Sequence, residues 1–196
     1  MAGPPAAGKS TTIRQLTSGG LLELRGSLDL GDPAGWRVLE ARDLHRVRDD
    51  RLERVILHYD FLRQWKRTHS HEFGTDQSLA IVKRAEEISF VTLWAQPATL
   101  IRRLHVRRAA FHASRVKPWR IRAALIKRRR LDNFDRLEVL YANRSEVSRL
   151  YEEWVTFCEA HTTRAHFILD TTDAQSIMRP AHDWLDLVMD KVAGQP

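Results

Sequence analysis

The stretch Gly3-Pro4-Pro5-Ala6-Ala7-Gly8-Lys9-Ser10 constrains this chain more than any other, because it completes the pattern Gly-x-x-x-x-Gly-Lys-[Ser/Thr]. Gly3 and Gly8 permit backbone conformations that a side chain would block, so successive N–H groups can turn inward onto one anion. A helix starting near Lys9 adds its positive end at the same point. In this pattern the lysine reaches the outer phosphates of a nucleotide and the Ser10 hydroxyl ligates Mg²⁺, with Thr11 closing the set of loop residues. Such a loop joins a central strand to a helix. Residues 11–16 read as that helix, but only Met1 and Ala2 precede Gly3. The chain therefore reads as lacking its first strand, and a truncated N-terminus is the expectation.

Downstream, apolar runs alternate with helical patterns, which predicts an α/β fold with a largely parallel sheet. Trp36-Arg37-Val38-Leu39-Glu40 and the run 54–58 read as strands, and Ile88-Ser89-Phe90-Val91-Thr92-Leu93-Trp94-Ala95 as the most deeply buried one. Residues 26–35 read as loop and 75–87 as a helix. Pro97 stands where a helix tolerates proline, in its first turn. Pro118 separates that helix from a second, over 119–141. Val147, Leu150, Tyr151, Trp154 and Cys158 make one apolar stripe at helical spacing, a core face rather than a cofactor box. His166-Phe167-Ile168-Leu169 reads as the last strand. Thr172 followed by Gln175 matches a capping box, which predicts a closing helix that buries Ile177, Ala181, Trp184, Leu185, Val188 and Val192. The 196 residues fit one domain, 1–196.

The net charge of +7 is concentrated: 88–131 holds twelve Lys or Arg and no acid, while the remainder has 20 basic and 25 acidic residues. One segment makes the protein basic, and it favours a polyanion. Like charges in a row predict a segment loosely held until an anion arrives. Cys158 is the single cysteine, which excludes an intrachain disulfide and a cysteine-cluster metal site and points to a reducing, cytoplasmic compartment. No apolar run has the length of a membrane span, so no membrane partner is expected.

Val55-Ile56-Leu57-His58-Tyr59-Asp60 is an apolar strand ending in an acid. An acid there would face the phosphate loop and could hold Mg²⁺ or take a proton from an acceptor hydroxyl; a strand-end or helix-capping Asp is the plainer alternative. Asp43 competes for the role from the neighbouring strand. His69 and His71 alternate beside Glu72, but no further ligand spacing supports zinc.

Together the loop and the Val55–Asp60 run, continued by Phe61-Leu62-Arg63, resemble small P-loop kinases of the nucleoside-monophosphate, shikimate and gluconate type. Leu93-Trp94-Ala95-Gln96-Pro97, followed by Leu100, Arg103, Arg107 and Arg108, looks like their fourth strand and the helix entering an arginine-bearing lid. Phe167-Ile168-Leu169-Asp170-Thr171-Thr172 is similar to their strand and turn beside the adenine. The chain departs from the pattern in its missing first strand and in a region 119–154 longer than a typical lid. The resemblance implies a three-layer α/β/α P-loop NTPase fold with a basic helical lid or insertion at about 102–142. It implies ATP or another nucleoside triphosphate, Mg²⁺ on Ser10 and Asp60, and phosphoryl transfer to a small molecule, an anionic acceptor being compatible with the basic segment. Lys9, Asp60, Arg107 and Arg108 would carry the chemistry, with Asp170 and Thr171 at the nucleotide and Arg63 a contact for the acceptor. The arginines read equally well as the solvated face of a helix. Three other classes stay open: a nucleotide-dependent nucleic-acid-binding protein using 102–130, above all Lys127-Arg128-Arg129-Arg130; a sulfotransferase-like protein; and a non-catalytic, nucleotide-binding interaction protein.

Overall fold

Runs rich in β-branched and aromatic residues become strands, and the spacing of apolar residues sets where helices cover them. The computed structural model describes residues 1–32, 35–40, 54–62, 76, 79, 82, 85–113, 121–173 and 177–183, with 121–130 and 182 described by their backbone. The strands are β1 (Ala2–Gly3), β2 (Arg37–Glu40), β3 (Val55–Asp60), β4 (Ser89–Trp94), β5 (Ala165–Asp170) and β6 (Ile177–Pro180). The helices are α1 (Lys9–Thr17), α2 (Leu22–Ser27), α3 (Pro97–Ala113), α4 (Ile121–Ala142) and α5 (Arg144–His161), with a 3₁₀ turn at Ala181–Asp183.

The fold is α/β with one six-stranded sheet in the order β2-β3-β1-β4-β5-β6, parallel except for β6. The expected absence of a first strand is corrected. Ala2 and Gly3 form a two-residue strand in mid-sheet, with Ala2 opposite Tyr59 and Thr92 and Gly3 opposite Asp60. Met1 extends the contact, since its amine donates to the Leu57 carbonyl at 2.8 Å and its carbonyl accepts from the Tyr59 N–H at 3.0 Å.

The closing helix is also corrected. From Ile177 the chain pairs antiparallel with β5, so 166–169 is not the last strand. The capping pattern fails for a tertiary reason: the Thr172 hydroxyl accepts from the Gln96 N–H at 3.0 Å, holding β5's end to β4's instead of opening a helix. Ile177 is exposed and Ala181 buried; Trp184, Leu185, Val188 and Val192 lie outside the described residues, as does most of the helix expected at 75–87. The loop expected over 26–35 begins late, because Gly26 still belongs to α2.

The core forms between α5 and the sheet. Val147, Leu150, Tyr151, Trp154 and Cys158 are all buried, as the stripe predicts. Asn143 caps the helix by accepting from the Glu146 N–H. Trp154 stacks on Tyr59 (5.2 Å) and Phe61 (5.9 Å), meets Phe90 edge-on (6.1 Å), and donates its indole N–H to Thr92 Oγ1 at 2.9 Å. This packing fixes β3 and β4 on either side of β1, and thereby positions the loop that leaves Gly3. Among the described residues no helix is long and apolar enough to cross a membrane.

Candidate anion-binding loop at the carboxyl end of the sheet

The chain leaving β1 runs toward β2, and the chain leaving β4 runs the other way, toward β5. Parallel α/β sheets bind ligands in the crevice that such a reversal opens. The loop 3–8 occupies that position. At Gly3 a Cβ would lie 2.9 Å from the Leu93 carbonyl oxygen, so only glycine lets the loop leave against β4. Gly8 caps α1 in the left-handed region, at φ 93°. Ala6 also has positive φ, 70°, although it carries a buried Cβ. That conformation costs an alanine about 1 kcal/mol, a strain that the surroundings must hold.

Each loop carbonyl is held by a donor. Lys9 Nζ donates to Gly3 O at 2.7 Å and Pro4 O at 2.8 Å. The Tyr141 hydroxyl donates to Pro5 O at 2.8 Å, Arg103 Nη1 reaches Ala6 O at 3.5 Å, and the Thr171 hydroxyl lies 3.0 Å from Ala7 O. Gly8 O accepts from the Thr11 and Thr12 N–H groups in the first turn of α1. In a trans peptide the C=O of one residue and the N–H of the next point in opposite directions. Holding the Pro5 and Ala7 carbonyls therefore also fixes the Ala6 and Gly8 amides. Pro4 and Pro5 have no N–H, and the Ala7 N–H is used by Pro4 O at 3.2 Å. The cradle thus rests mainly on amides from Gly8 onward, at the start of α1, whose first turn contains no acid to repel an anion.

Around this loop the structure gathers most of the sequence-predicted residues. Lys9 is buried and Ser10 and Thr11 are exposed beside it. Asp60 ends β3 in register with Gly3 and accepts from the Leu62 N–H at 3.1 Å. Asp170 ends β5, buried, and accepts from the Thr172 N–H at 2.9 Å. The Thr171 N–H donates to Trp94 O at 2.8 Å, and its single hydroxyl proton serves Ala7 O or Trp94 O, one at a time. Burial above all, then the Asp60 carboxylate and Tyr151, pushes the Tyr141 phenol well above its usual range, with Arg107 opposing. Asp60 and Arg107 are therefore both within electrostatic reach of the loop's Tyr141. His58, on the same strand as Asp60, is drawn below the usual imidazole value by burial and then by the Lys9 charge.

Arg108 is placed elsewhere: it pairs with Asp135 at 2.7 Å and Glu138 at 3.7 Å on α4. His105 meets Glu138 at 3.0 Å. Acids just beyond the acid-free run thus answer Arg108 and His105, while Arg102 and Arg107 still oppose the charge on Arg103. Asp43, Arg63, His69, His71 and Glu72 lie outside the described residues.

Two contacts escape sequence reasoning. Arg103 bonds Ala6 O and both the hydroxyl and carbonyl of Thr171, and Tyr141 bonds Pro5 O. Burial, followed by Arg102 and Arg107, draws the Arg103 guanidinium below its ordinary value, with Asp170 opposing. The available signal for Arg103 is its place between buried Leu100 and Leu104 on α3, which turns it toward the sheet.

Compared with protein-family models, curated proteins and solved structures, the chain matches none.

Proposed function

We propose that this chain is a P-loop nucleoside triphosphate-binding protein with a three-layer α/β/α core, and that it transfers a phosphoryl group to a small molecule. One observation carries the reading: the loop 3–8 has its carbonyls held by the protein's own donors, beside the acid-free amino end of α1. A loop with backbone amides held in place at a helix amino end suits an anion, which supports this reading.

Phosphates would sit on the amides from Gly8 onward. Lys9, now on two backbone carbonyls, would move to phosphate oxygens, which as charged acceptors bind an ammonium more strongly than a neutral carbonyl does. The oxygen donors Ser10 and Asp60, one at each side of the loop, suit Mg²⁺, a hard cation that keeps several waters and takes one or two protein oxygens. The metal would neutralise charge on the transferring group. Asp60 would act on the acceptor hydroxyl, with Arg107 offsetting developing charge. Asp170 and Thr171 would flank the nucleotide.

The test is equilibrium binding of ATP, GTP, ADP and AMP with Mg²⁺ to the whole chain and to Lys9→Ala, followed by a screen of phosphorylatable metabolites for acceptor-dependent ADP release. Micromolar triphosphate binding that Lys9→Ala abolishes is the expected result. Triphosphate affinity unchanged by Lys9→Ala would remove the reading. Salt-dependent binding of DNA or RNA, with none of nucleotide, would replace it with the nucleic-acid alternative.

A further inference from the structure

The two arms of the α3–α4 hairpin both reach the loop from outside. Arg103, on α3, bonds Ala6 O and clasps Thr171; Tyr141, at the end of α4, bonds Pro5 O. These two carbonyls bracket Ala6, the loop residue held at φ 70°. Its strain favours rotation of the Pro5–Ala6 peptide, which would turn the Ala6 N–H out of the cradle. A bond to Pro5 O opposes that rotation directly, because this carbonyl and the Ala6 N–H belong to one rigid peptide. The phenol is well placed to do so: Tyr141 is 1% exposed, so its ring is fixed by packing and its O–H has little water to compete with.

We propose that Tyr141 is a positioning residue of the anion loop: by holding the Pro5 carbonyl it aims the Ala6 N–H and couples the loop to the α3–α4 hairpin. The inference rests on the reading of the loop as a phosphate cradle. It assigns the hairpin a second role, different from that of a lid closing over the ligand from the front. Anion bound at the loop stiffens the hairpin through Tyr141 and Arg103, and by linkage a stiffened hairpin raises anion affinity.

Tyr141→Phe removes one oxygen and keeps the ring. Tripolyphosphate and MgATP serve as probes by titration calorimetry on the full chain, together with amide hydrogen exchange and the unliganded thermal midpoint. The expected result is affinity weakened about tenfold, as for one lost orienting hydrogen bond, with little change in midpoint. A rescue separates positioning from packing. Ala6→Gly relieves the strain at φ 70°, so Tyr141→Phe should weaken binding less in that background than in the natural sequence. A lowered midpoint with unchanged affinity, or equal losses in both backgrounds, overturns the proposal. A measurement that needs no variant tests the same coupling: tripolyphosphate should slow exchange in 131–142 of the natural chain as well as in the loop, and unchanged exchange in 131–142 overturns the proposal. A natural chain that binds neither probe overturns the phosphate-cradle reading itself. One that binds both, with Tyr141→Phe equally tight, overturns the positioning role alone.

Discussion

The two ends of the β4–β5 pair hold their cations in opposite ways. At the carboxyl end, Lys9 and Arg103 are held by backbone carbonyls and a threonine. At the amino end, Arg164 is exposed and meets Glu87 at 3.2 Å and Asp29 at 3.5 Å. A carboxylate cancels a cation's charge; a carbonyl dipole orients the cation and leaves its charge in place. The first end therefore presents cations oriented by fixed dipoles, with Asp60 and Asp170 at neighbouring strand ends, while the second rests on exposed ion pairs. Both ends are tightly hydrogen-bonded, since Thr163 and Arg164 N–H groups both reach Ile88 O. The difference lies in what answers the charge.

The strongest way to break this contrast is Lys9→Ala. Triphosphate affinity should fall by about a thousandfold, since both a charge and a directed donor leave the cradle, while far-ultraviolet circular dichroism stays unchanged. Titration calorimetry reads the affinity.

Acid tests the amino end and the core behind it. Near that end of β5, His166 is buried, its Nε2 lies 2.9 Å from Thr92 Oγ1, and its Nδ1 finds no partner among the described residues. Burial first, then the amino terminus, lowers its pKa to about 4. Unfolded, the ring titrates near its ordinary 6.5, so between these values the unfolded chain binds a proton that the folded one refuses. Stability is thus fully present above about pH 7 and declines as pH falls toward 4, by about 3 kcal/mol from this residue. Urea unfolding at about pH 7.5, 6 and 4.5 should show the decline, and His166→Phe should flatten it.

Asp60→Asn sharpens the picture at the carboxyl end. If Asp60 works on the acceptor, turnover should drop about a hundredfold with nucleotide affinity nearly unchanged. Equal loss in both would make Asp60 a metal ligand first. The smallest effect is expected at Arg164→Ala, which should shift stability by no more than about 0.5 kcal/mol and leave triphosphate binding untouched, because its partners are exposed. Denaturant midpoints and the same titration decide it.

Much of this organisation is legible in the sequence. The run at β4 and the α5 stripe carry their periods openly, and the loop carries its glycines. Other parts are not. The β1 stub has too few residues to show a period and exists because β3 and β4 flank it with backbone donors and acceptors. The β6 strand hides behind a capping pattern whose threonine serves Gln96 instead. Arg103 and Tyr141 act across 97 and 136 residues of chain, distances over which no local pattern reports a contact. The sequence therefore reads the glycines and lysine of the loop but not the side chains that brace it.

The aromatic cluster under β1 has an optical consequence. Trp154 is immobilised by its bond to Thr92 and stacked at an interplanar angle of 21° on Tyr59, the residue opposite Ala2 in the sheet. Rings locked in a chiral, asymmetric array produce a strong near-ultraviolet dichroic band, whereas a ring turning in solvent averages its signal away. Trp154 and Tyr59 thus form a built-in chromophore pair one strand from the root of the loop. Its band is expected to persist in variants of Lys9 or Tyr141 that keep β1 seated, and to fade wherever β1 leaves the sheet, so light alone distinguishes an emptied cradle from a lost one.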